Sequence, residues 1–236
     1  MDERLKQLTE EYVSDFSQKR DLDFVVKPSI PIIWFGDIEG YLNSSKKVIT
    51  VGLNPSLKEF SESRFHIGSE DFSVEKLYCV LNDYFKVNPY RNYFNCFSKI
   101  LETQIATYNF TYGKKNTAIH IDMYSSIATN PTWGKLNKFK KNSINQFGLF
   151  IKLLELLSPD VVLISLEWQQ VLESFQLKQN CLILKKHSPH GPELEIYQQD
   201  KKLIVYGRNR TGKPFSVKNE IMDDVKDFFK INKVEQ

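Results

Sequence analysis

A side-chain amide directly after a buried strand is the first group in the chain that could do chemistry. Val48 to Val51 is a β-branched apolar run, which is typical of a buried strand. Gly52 ends the run and lets the backbone approach a ligand closely, while Pro55 pushes Asn54 towards an extended conformation. Open α/β sheets bind ligands at the carboxyl ends of their strands, so Asn54 is a candidate site residue. The alternative is an ordinary turn, since Asn-Pro is a common turn dipeptide.

A carboxylate stands at the end of a second predicted strand. Strict alternation along 118–124 points His120, Asp122 and Tyr124 to one side of that strand. Asp122 could act as a general base on water, because Asn54 cannot take a proton. It could also be a structural cap, which is a common role of aspartate at a strand end.

Two histidines follow a third short apolar run. Cys181 to Leu184 predicts a strand, and a segment rich in proline and glycine comes next. His187 and His190 lie in that segment. They are either site residues or solvent-exposed histidines in a turn.

These three segments resemble the motifs of the uracil-DNA glycosylase superfamily, in the right order, between Lys46 and Pro214. The first segment is nearest to the Gly-x-Asn-Pro-Gly form of the mismatch-specific and thymine-DNA glycosylases. The resemblance implies that this loop positions the attacking water with Asn54 and holds the base. Its members in this chain are Gly52, Leu53, Asn54, Pro55 and Ser56.

The resemblance also assigns the departing base and the DNA contacts. It implies that His187, with His190 in reserve, donates a hydrogen bond to O2 of the base, where a donor contributes roughly 3–4 kcal/mol in comparable oxyanion sites. Phe65 or Phe72 is expected to stack on the extruded base, and the alternative is that both rings fill the core. The rest of the third loop is expected to wedge into the duplex; it comprises Ser188, Pro189, His190 and Gly191.

Two departures from the family pattern bear on the substrate. Asp122 stands where uracil enzymes have an asparagine, and a carboxylate only accepts hydrogen bonds. It would oppose O4 of uracil but could accept from the amino group of cytosine, and a mismatched buried polar pair costs about 1–3 kcal/mol. Ser56 replaces a tyrosine that fills the space beside C5 of the base. We therefore expect a C5-substituted cytosine; such bases occur in phage genomes, which suggests defence against phage DNA.

Two basic clusters are candidate phosphate contacts. One follows a tryptophan-bearing loop that we expect to be exposed, and it consists of Lys135, Lys138, Lys140 and Lys141. The other follows the predicted strand at 203–206 and consists of Arg208, Arg210 and Lys213. Basic clusters next to an aromatic loop are typical of nucleic-acid contacts, and the alternative is a solvated surface.

Composition limits the other possibilities. The 236 residues suit a single domain, with 1–30 as an N-terminal helical extension, and the net charge of +3 is mildly basic. The three cysteines are scattered and cannot supply the four ligands of an iron–sulfur cluster, so we expect no cofactor and no metal. No segment is apolar enough to cross a membrane and no signal peptide is recognisable, which favours a cytoplasmic protein. No obligate protein partner is implied.

Strands alternate with helices, which predicts a three-layer α/β/α sandwich with a mostly parallel sheet of four to five strands. Strands are expected at 48–51, 118–124, 161–164, 181–184 and 203–206. Helices are expected at 2–19, 73–85, 93–104, 144–157, 168–175 and 217–231.

The resulting hypothesis is a monofunctional DNA glycosylase that flips a nucleotide out of the stack and hydrolyses its N-glycosidic bond. The alternatives are a uracil or mismatch repair glycosylase, a non-catalytic DNA-binding module of the same fold, and an unrelated α/β hydrolase acting on nucleosides.

Overall fold

The computed structural model describes residues 3–61, 64–65, 73–108, 116–166, 175–189, 191–199, 201–210 and 212–232. The strands within these ranges are β1 (Val48–Gly52), β2 (Ile119–Asp122), β3 (Val161–Ile164), β4 (Leu182–Ser188), β5 (Gly191–Gln199) and β6 (Lys202–Gly207). The helices are α1 (Glu3–Lys19), α2 (Ile38–Leu42), α3 (Leu57–Phe60), α4 (Val74–Val87), α5 (Arg91–Phe94), α6 (Ser98–Thr103), α7 (Lys138–Ile144), α8 (Phe147–Leu157) and α9 (Asn219–Asn232).

The strands form one six-stranded sheet in the order β2-β1-β3-β6-β5-β4. The four strands β2, β1, β3 and β6 are parallel, and β5 and β4 continue the sheet in antiparallel fashion. The carboxyl ends of the four parallel strands therefore meet at one edge, where ligand sites of open α/β sheets lie. The predicted α/β class and mostly parallel sheet are confirmed.

The central strands are apolar because both of their faces are covered. Every residue of β1 and of β3 is buried, as expected for parallel strands with layers on each side. Helix α1 packs against α8 and α4, and α9 packs against α6. The predicted cap of α4 is present, since the Ser73 side chain accepts a hydrogen bond from the backbone N–H of Lys76.

The sheet has six strands rather than the four to five expected, because the sequence of β5 does not show the hydrophobic alternation of a strand. Glu193 and Glu195 lie in the middle of β5 and are both fully buried. Arg208 and Arg210 contact the first carboxylate, and His187 contacts the second. A strand whose buried positions carry charges does not show the apolar alternation that predicts one.

One predicted helix is interrupted, and another begins later than expected. The segment expected at 93–104 consists of α5, a 3₁₀ turn (Asn95–Phe97) and α6. The helix expected at 144–157 is present as α8, which begins at Phe147, after Asn145 and Gln146 direct their side chains to other backbone groups. Asn145 accepts from the N–H of Phe147 at 2.9 Å, and Gln146 accepts from the N–H of Ser126 at 2.8 Å. The helix expected at 168–175 lies almost wholly outside the described residues.

None of the helices in the described part of the chain is long and apolar enough to cross a membrane.

Candidate active site

A cavity of about 290 Å³ opens at the carboxyl ends of the four parallel strands. Each strand delivers residues to its wall. Asn54 follows β1, Asp122 ends β2, Leu166 follows β3, and Asn209 follows β6. The size is close to the lower end of small-ligand cavities, which span about 300–1,000 Å³. The cavity thus brings together Asn54 and Asp122, two of the three groups that the sequence predicted to meet.

The amide of Asn54 is held by acceptors on one side only. Its Nδ2 donates to the carbonyl oxygen of Pro55 at 2.7 Å and to that of Ile127 at 3.1 Å. Carbonyl oxygens cannot donate, so these contacts fix which end of the amide is the nitrogen. The Oδ1 atom is buried and has no hydrogen-bond partner among the described residues. Asn54 therefore carries a buried acceptor that no described group satisfies.

The carboxylate of Asp122 occupies space that only a glycine leaves open. Gly52 is its register partner across the β1–β2 pairing. A Cβ on Gly52 would lie 2.4 Å from Asp122 Oδ1, 2.8 Å from His120 Nε2 and 2.9 Å from the Tyr93 hydroxyl. Glycine at this position lets three polar groups converge beside the cavity, which gives a physical reason for the glycine that the sequence singled out.

The buried His120 lies beside that carboxylate. Its Nε2 lies 3.6 Å from Asp122 Oδ1, and its Nδ1 lies 2.7 Å from the hydroxyl of Thr50. The imidazole is almost fully buried, with the rings of Phe35 and Phe94 at centroid distances of 5.4 Å and 5.1 Å. The side chains of His120 and Asp122 both reach the cavity, so the alternation predicted for this strand is confirmed at these two positions.

Glu59 is a second carboxylate in the cavity, and it was not among the candidate residues. Ser56 caps α3, and Glu59 Oε2 accepts from the Ser56 N–H at 2.7 Å and from the Ser56 hydroxyl at 2.8 Å. Burial raises the pKa of Glu59 to about 7, with the negative charge of Asp122 adding to the rise and the Ser56 hydrogen bonds opposing it. A carboxylate with such a pKa can exchange protons near neutral pH. The Ser-x-x-Glu spacing of a capping box was the available sequence signal.

The aromatic wall of the cavity differs from the one expected. Phe65 is a core residue, packed against Phe60 at 5.3 Å and Tyr84 at 5.0 Å, and it does not line the cavity. Phe72 lies outside the described residues. The rings that line the cavity are Phe35, Tyr90, Tyr93, Phe94 and Trp133.

Tyr90 and Tyr93 form the more accessible part of this wall. Their rings are nearly parallel, with an interplanar angle of 11° and a centroid distance of 6.4 Å. Burial raises the pKa of Tyr93 well above its usual value, and the negative charge of Asp122 acts in the same direction. The Tyr93 phenol therefore stays protonated and can donate a hydrogen bond.

The tryptophan loop is exposed as expected at Pro131, Thr132 and Gly134, but the Trp133 side chain itself is buried. Trp133 retains only 6% of its accessible surface and stacks on Tyr124 at a centroid distance of 5.1 Å and an angle of 8°. Its neighbours Thr132 and Gly134 also line the cavity. The loop forms part of the cavity wall, and exposed lysines begin at Lys135.

The expected place of His187 was wrong. It lies on β4 at the outer edge of the sheet, with its Nε2 3.1 Å from Glu195 Oε1, and it does not line the cavity. Strands β6 and β5 separate β4 from β3, and β4 is two strand spacings, about 10 Å, from β6. The loop after β6, rather than the loop after β4, contributes residues to the cavity.

The hairpin after His187 lies at the same edge of the sheet as the cavity. Ser188 ends β4 and its hydroxyl lies 3.4 Å from the carbonyl oxygen of Gly191, where β5 begins. Pro189 forms the turn, and His190 lies outside the described residues. The DNA contact expected of this loop stays a prediction.

The loop after β6 is anchored by a buried carboxylate. Arg208 and Arg210 both contact Oε1 of Glu193, at 3.4 Å in the case of Arg208. Burial by itself would raise the pKa of Glu193, but hydrogen bonds from Ser188 and Arg210 and the two guanidinium charges lower it overall. These arginines therefore fix the loop that carries Asn209 into the cavity. The phosphate role expected of Arg208 and Arg210 stays a prediction, and Lys213 is an exposed residue of the same loop.

Replacing His187 with alanine should leave any reaction in the cavity unchanged, because its imidazole binds Glu195 rather than a cavity ligand. Without the imidazole, Glu195 would still contact Lys185 at 3.3 Å and the hydroxyl of Tyr197 at 2.6 Å. The free energy of unfolding should therefore fall by at most about 1–3 kcal/mol. Reaction rate and urea unfolding check this. A large fall in rate without a loss of stability would instead indicate that His187 takes part in the reaction.

Comparisons with protein-family models, with curated proteins and with solved structures found no match to this chain. No group of three or more histidine, cysteine, aspartate or glutamate side chains within the described ranges is arranged to hold a metal ion.

Proposed function

We propose that the protein is a monofunctional DNA glycosylase of the uracil-DNA glycosylase type, which hydrolyses the N-glycosidic bond of a base flipped out of DNA. One observation carries the proposal. The amide of Asn54 and the carboxylates of Asp122 and Glu59 line one cavity, at the carboxyl ends of neighbouring parallel strands. The Gly52 to Ser56 loop, which resembles the first motif of that superfamily, carries Asn54 at this cavity.

Water activation is assigned to Asn54 and Glu59. The unpartnered Oδ1 of Asn54 accepts a hydrogen bond from the attacking water and orients it towards the sugar carbon. The carboxylate of Glu59 accepts the proton that the water loses. Negative charge near the sugar also stabilises the oxocarbenium-like transition state, as carboxylates do in glycoside hydrolysis.

The base is held by Asp122 and by the aromatic wall. Asp122 accepts from the exocyclic amino group of a cytosine-type base, and His120 lies beside the carboxylate. The base lies against the rings of Tyr90 and Tyr93. In place of His187, the Asn209 amide is the proposed donor to the oxygen of the departing base, where negative charge develops.

The proposed substrate is a C5-substituted cytosine, and the proposed role is defence against phage DNA that carries such bases. Ser56 presents a small side chain at the cavity, and its hydroxyl is already bonded to Glu59. A substituent on C5 therefore meets a short side chain where a tyrosine would close the space.

A non-catalytic DNA-binding module is the second candidate. It is favoured by the position of His187, because the imidazole expected to stabilise the departing base is bound to Glu195 instead.

A screen of base excision separates the two candidates. Oligonucleotides with cytosine, uracil, 5-hydroxymethylcytosine or glucosylated hydroxymethylcytosine are incubated with the protein, and abasic sites are detected by alkaline cleavage and released bases by mass spectrometry. We expect abasic sites with a modified cytosine and none with the Asn54→Ala variant. DNA binding without an abasic site on any of these substrates would favour the non-catalytic module.

A further inference from the structure

The helix next to the cavity carries an unusually exposed aromatic ring. Phe139 lies on α7 and keeps 82% of its accessible surface, which makes it the most exposed of the large hydrophobic side chains that the structure describes. Single exposed hydrophobic residues are common and need no function by themselves. The surroundings of Phe139 are what distinguish it.

Helix α7 holds the ring in a fixed position. Asn137 caps the helix and accepts from the backbone N–H of Lys140 at 2.9 Å. Leu136 and Ile144 anchor its two ends in a small core cluster together with Trp133. Phe139 is therefore presented outward from a helix that is capped at its start and packed into the core at its end.

The charged residues near the ring along the chain are all basic. No acidic residue occurs between Asp122 and Glu155, while the segment around Phe139 contains Lys135, Lys138, Lys140 and Lys141. Lys140 contacts Asp23 at 2.9 Å, and the Lys141 ammonium lies 5.9 Å from the Trp133 ring centroid. Lys135 and Lys138 are exposed. Lysines around an outward aromatic ring match a strand that offers phosphates and stackable bases.

This surface begins at the wall of the cavity. Thr132, Trp133 and Gly134 line the cavity, and Lys135 completes the same 3₁₀ turn. A nucleotide strand that delivers one base to the cavity must pass close to its wall, and this surface adjoins that wall.

We propose that Phe139 stacks on a base next to the extruded nucleotide, and that Lys135 and Lys138 contact the adjacent phosphates. This inference rests on the proposed DNA glycosylase function. It assigns to α7 a DNA contact that none of the three sequence motifs supplies, and it commits to DNA rather than to a protein partner or a second copy of the chain.

Binding to DNA that cannot react tests the stacking contact. The probe is a duplex with a tetrahydrofuran abasic analogue and 2-aminopurine next to it, whose fluorescence reports unstacking. Phe139→Ala should weaken binding by about 5- to 150-fold and reduce the fluorescence change, because stacking is worth about 1–3 kcal/mol per base. Phe139→Tyr, which keeps an aromatic ring, should retain the wild-type affinity and fluorescence change. Val87→Ala, which alters another exposed hydrophobic residue, is the matched control.

Salt dependence tests the phosphate contacts. Lys135→Ala combined with Lys138→Ala should lower the slope of log affinity against log salt by about 1.8, since each phosphate contact contributes about 0.9. Lys178→Ala combined with Lys202→Ala is the matched control, because these residues stand near the opposite edge of the sheet, where β4 and β6 begin.

The outcomes separate this inference from the proposed function. Unchanged affinity in Phe139→Ala, or a change in its oligomeric state instead of its DNA binding, overturns the inference, even if wild type excises bases. Phe139-dependent binding by a protein that forms no abasic sites supports the DNA surface and overturns the glycosylase assignment. A wild-type protein that binds no DNA overturns both.

Discussion

Replacing Asp122 with asparagine should move the base preference from cytosine derivatives to uracil by about 5- to 150-fold. The carboxylate can only accept from the amino group of cytosine, whereas an amide can also donate to O4 of uracil. A mismatched buried polar pair costs about 1–3 kcal/mol, which converts to that range. The ratio of single-turnover excision rates on matched uracil and cytosine-derivative oligonucleotides measures the change.

Other outcomes of the Asp122→Asn experiment assign Asp122 a different role. Equal loss of excision on all bases would make Asp122 the base that activates water. A fall in unfolding free energy as large as the loss of activity would make it a structural cap. Efficient excision of uracil by the wild-type protein would contradict the reading of Asp122 as a specificity residue. Asp83→Asn, an exposed carboxylate-to-amide change on α4, is the matched control.

Replacing Glu59 with glutamine should lower the excision rate by about 10²- to 10⁴-fold, the usual contribution of a general base. Burial raises the pKa of Glu59 to about 7, so the wild-type rate should rise with pH up to about 7 and level off above it, as the carboxylate ionises. The variant should lose this rise. Values of kcat/KM across this pH range, which report the pKa of the free protein, measure both effects.

Stability gives a second measurement on Glu59 that does not depend on activity. The folded-state pKa of about 7 lies above the ordinary value of 4.5, so between these values the folded protein holds a proton that the unfolded chain releases. The free energy of unfolding contributed by this group should therefore fall as the pH rises through this window. Glutamine cannot ionise and should remove that fall while still accepting from the Ser56 N–H.

The exposed Glu75 on α4 provides the matched control, since Glu75→Gln changes a carboxylate far from any buried partner. If the Glu59→Gln variant kept the wild-type rate and pH profile, the role of Glu59 would be limited to the capping of α3 with Ser56.

Local patterns were sufficient for the first two site residues. Asn54 follows a run of buried β-branched residues and precedes a proline, so its position at a strand end was readable from a few neighbours in sequence. His120 and Asp122 alternate along one short strand, and alternation alone placed them on one side. These inferences needed no knowledge of which strands pair.

Packing partners decided the aromatic residues. Phe65 and Trp133 look alike in sequence, as aromatic rings in polar loops. Phe65 is surrounded by Phe60 and Tyr84 in the core, while Trp133 stacks on Tyr124 and faces the cavity. Whether a ring is a core residue or a cavity wall depends on neighbours that are distant in sequence.

The sequence by itself determined the α/β class, the strand that delivers Asn54 and the side of β2 that carries Asp122, because each follows from the spacing of neighbouring residues. Only the tertiary structure decided that β6 rather than β4 borders the cavity, that His187 binds Glu195, and that Glu59 faces Asp122. Strand order depends on long-range pairing through backbone hydrogen bonds. The N–H and C=O groups that form these bonds are nearly the same for every residue type, so they carry little information about which strands pair. The pKa of Glu59 likewise depends on burial by segments far along the chain.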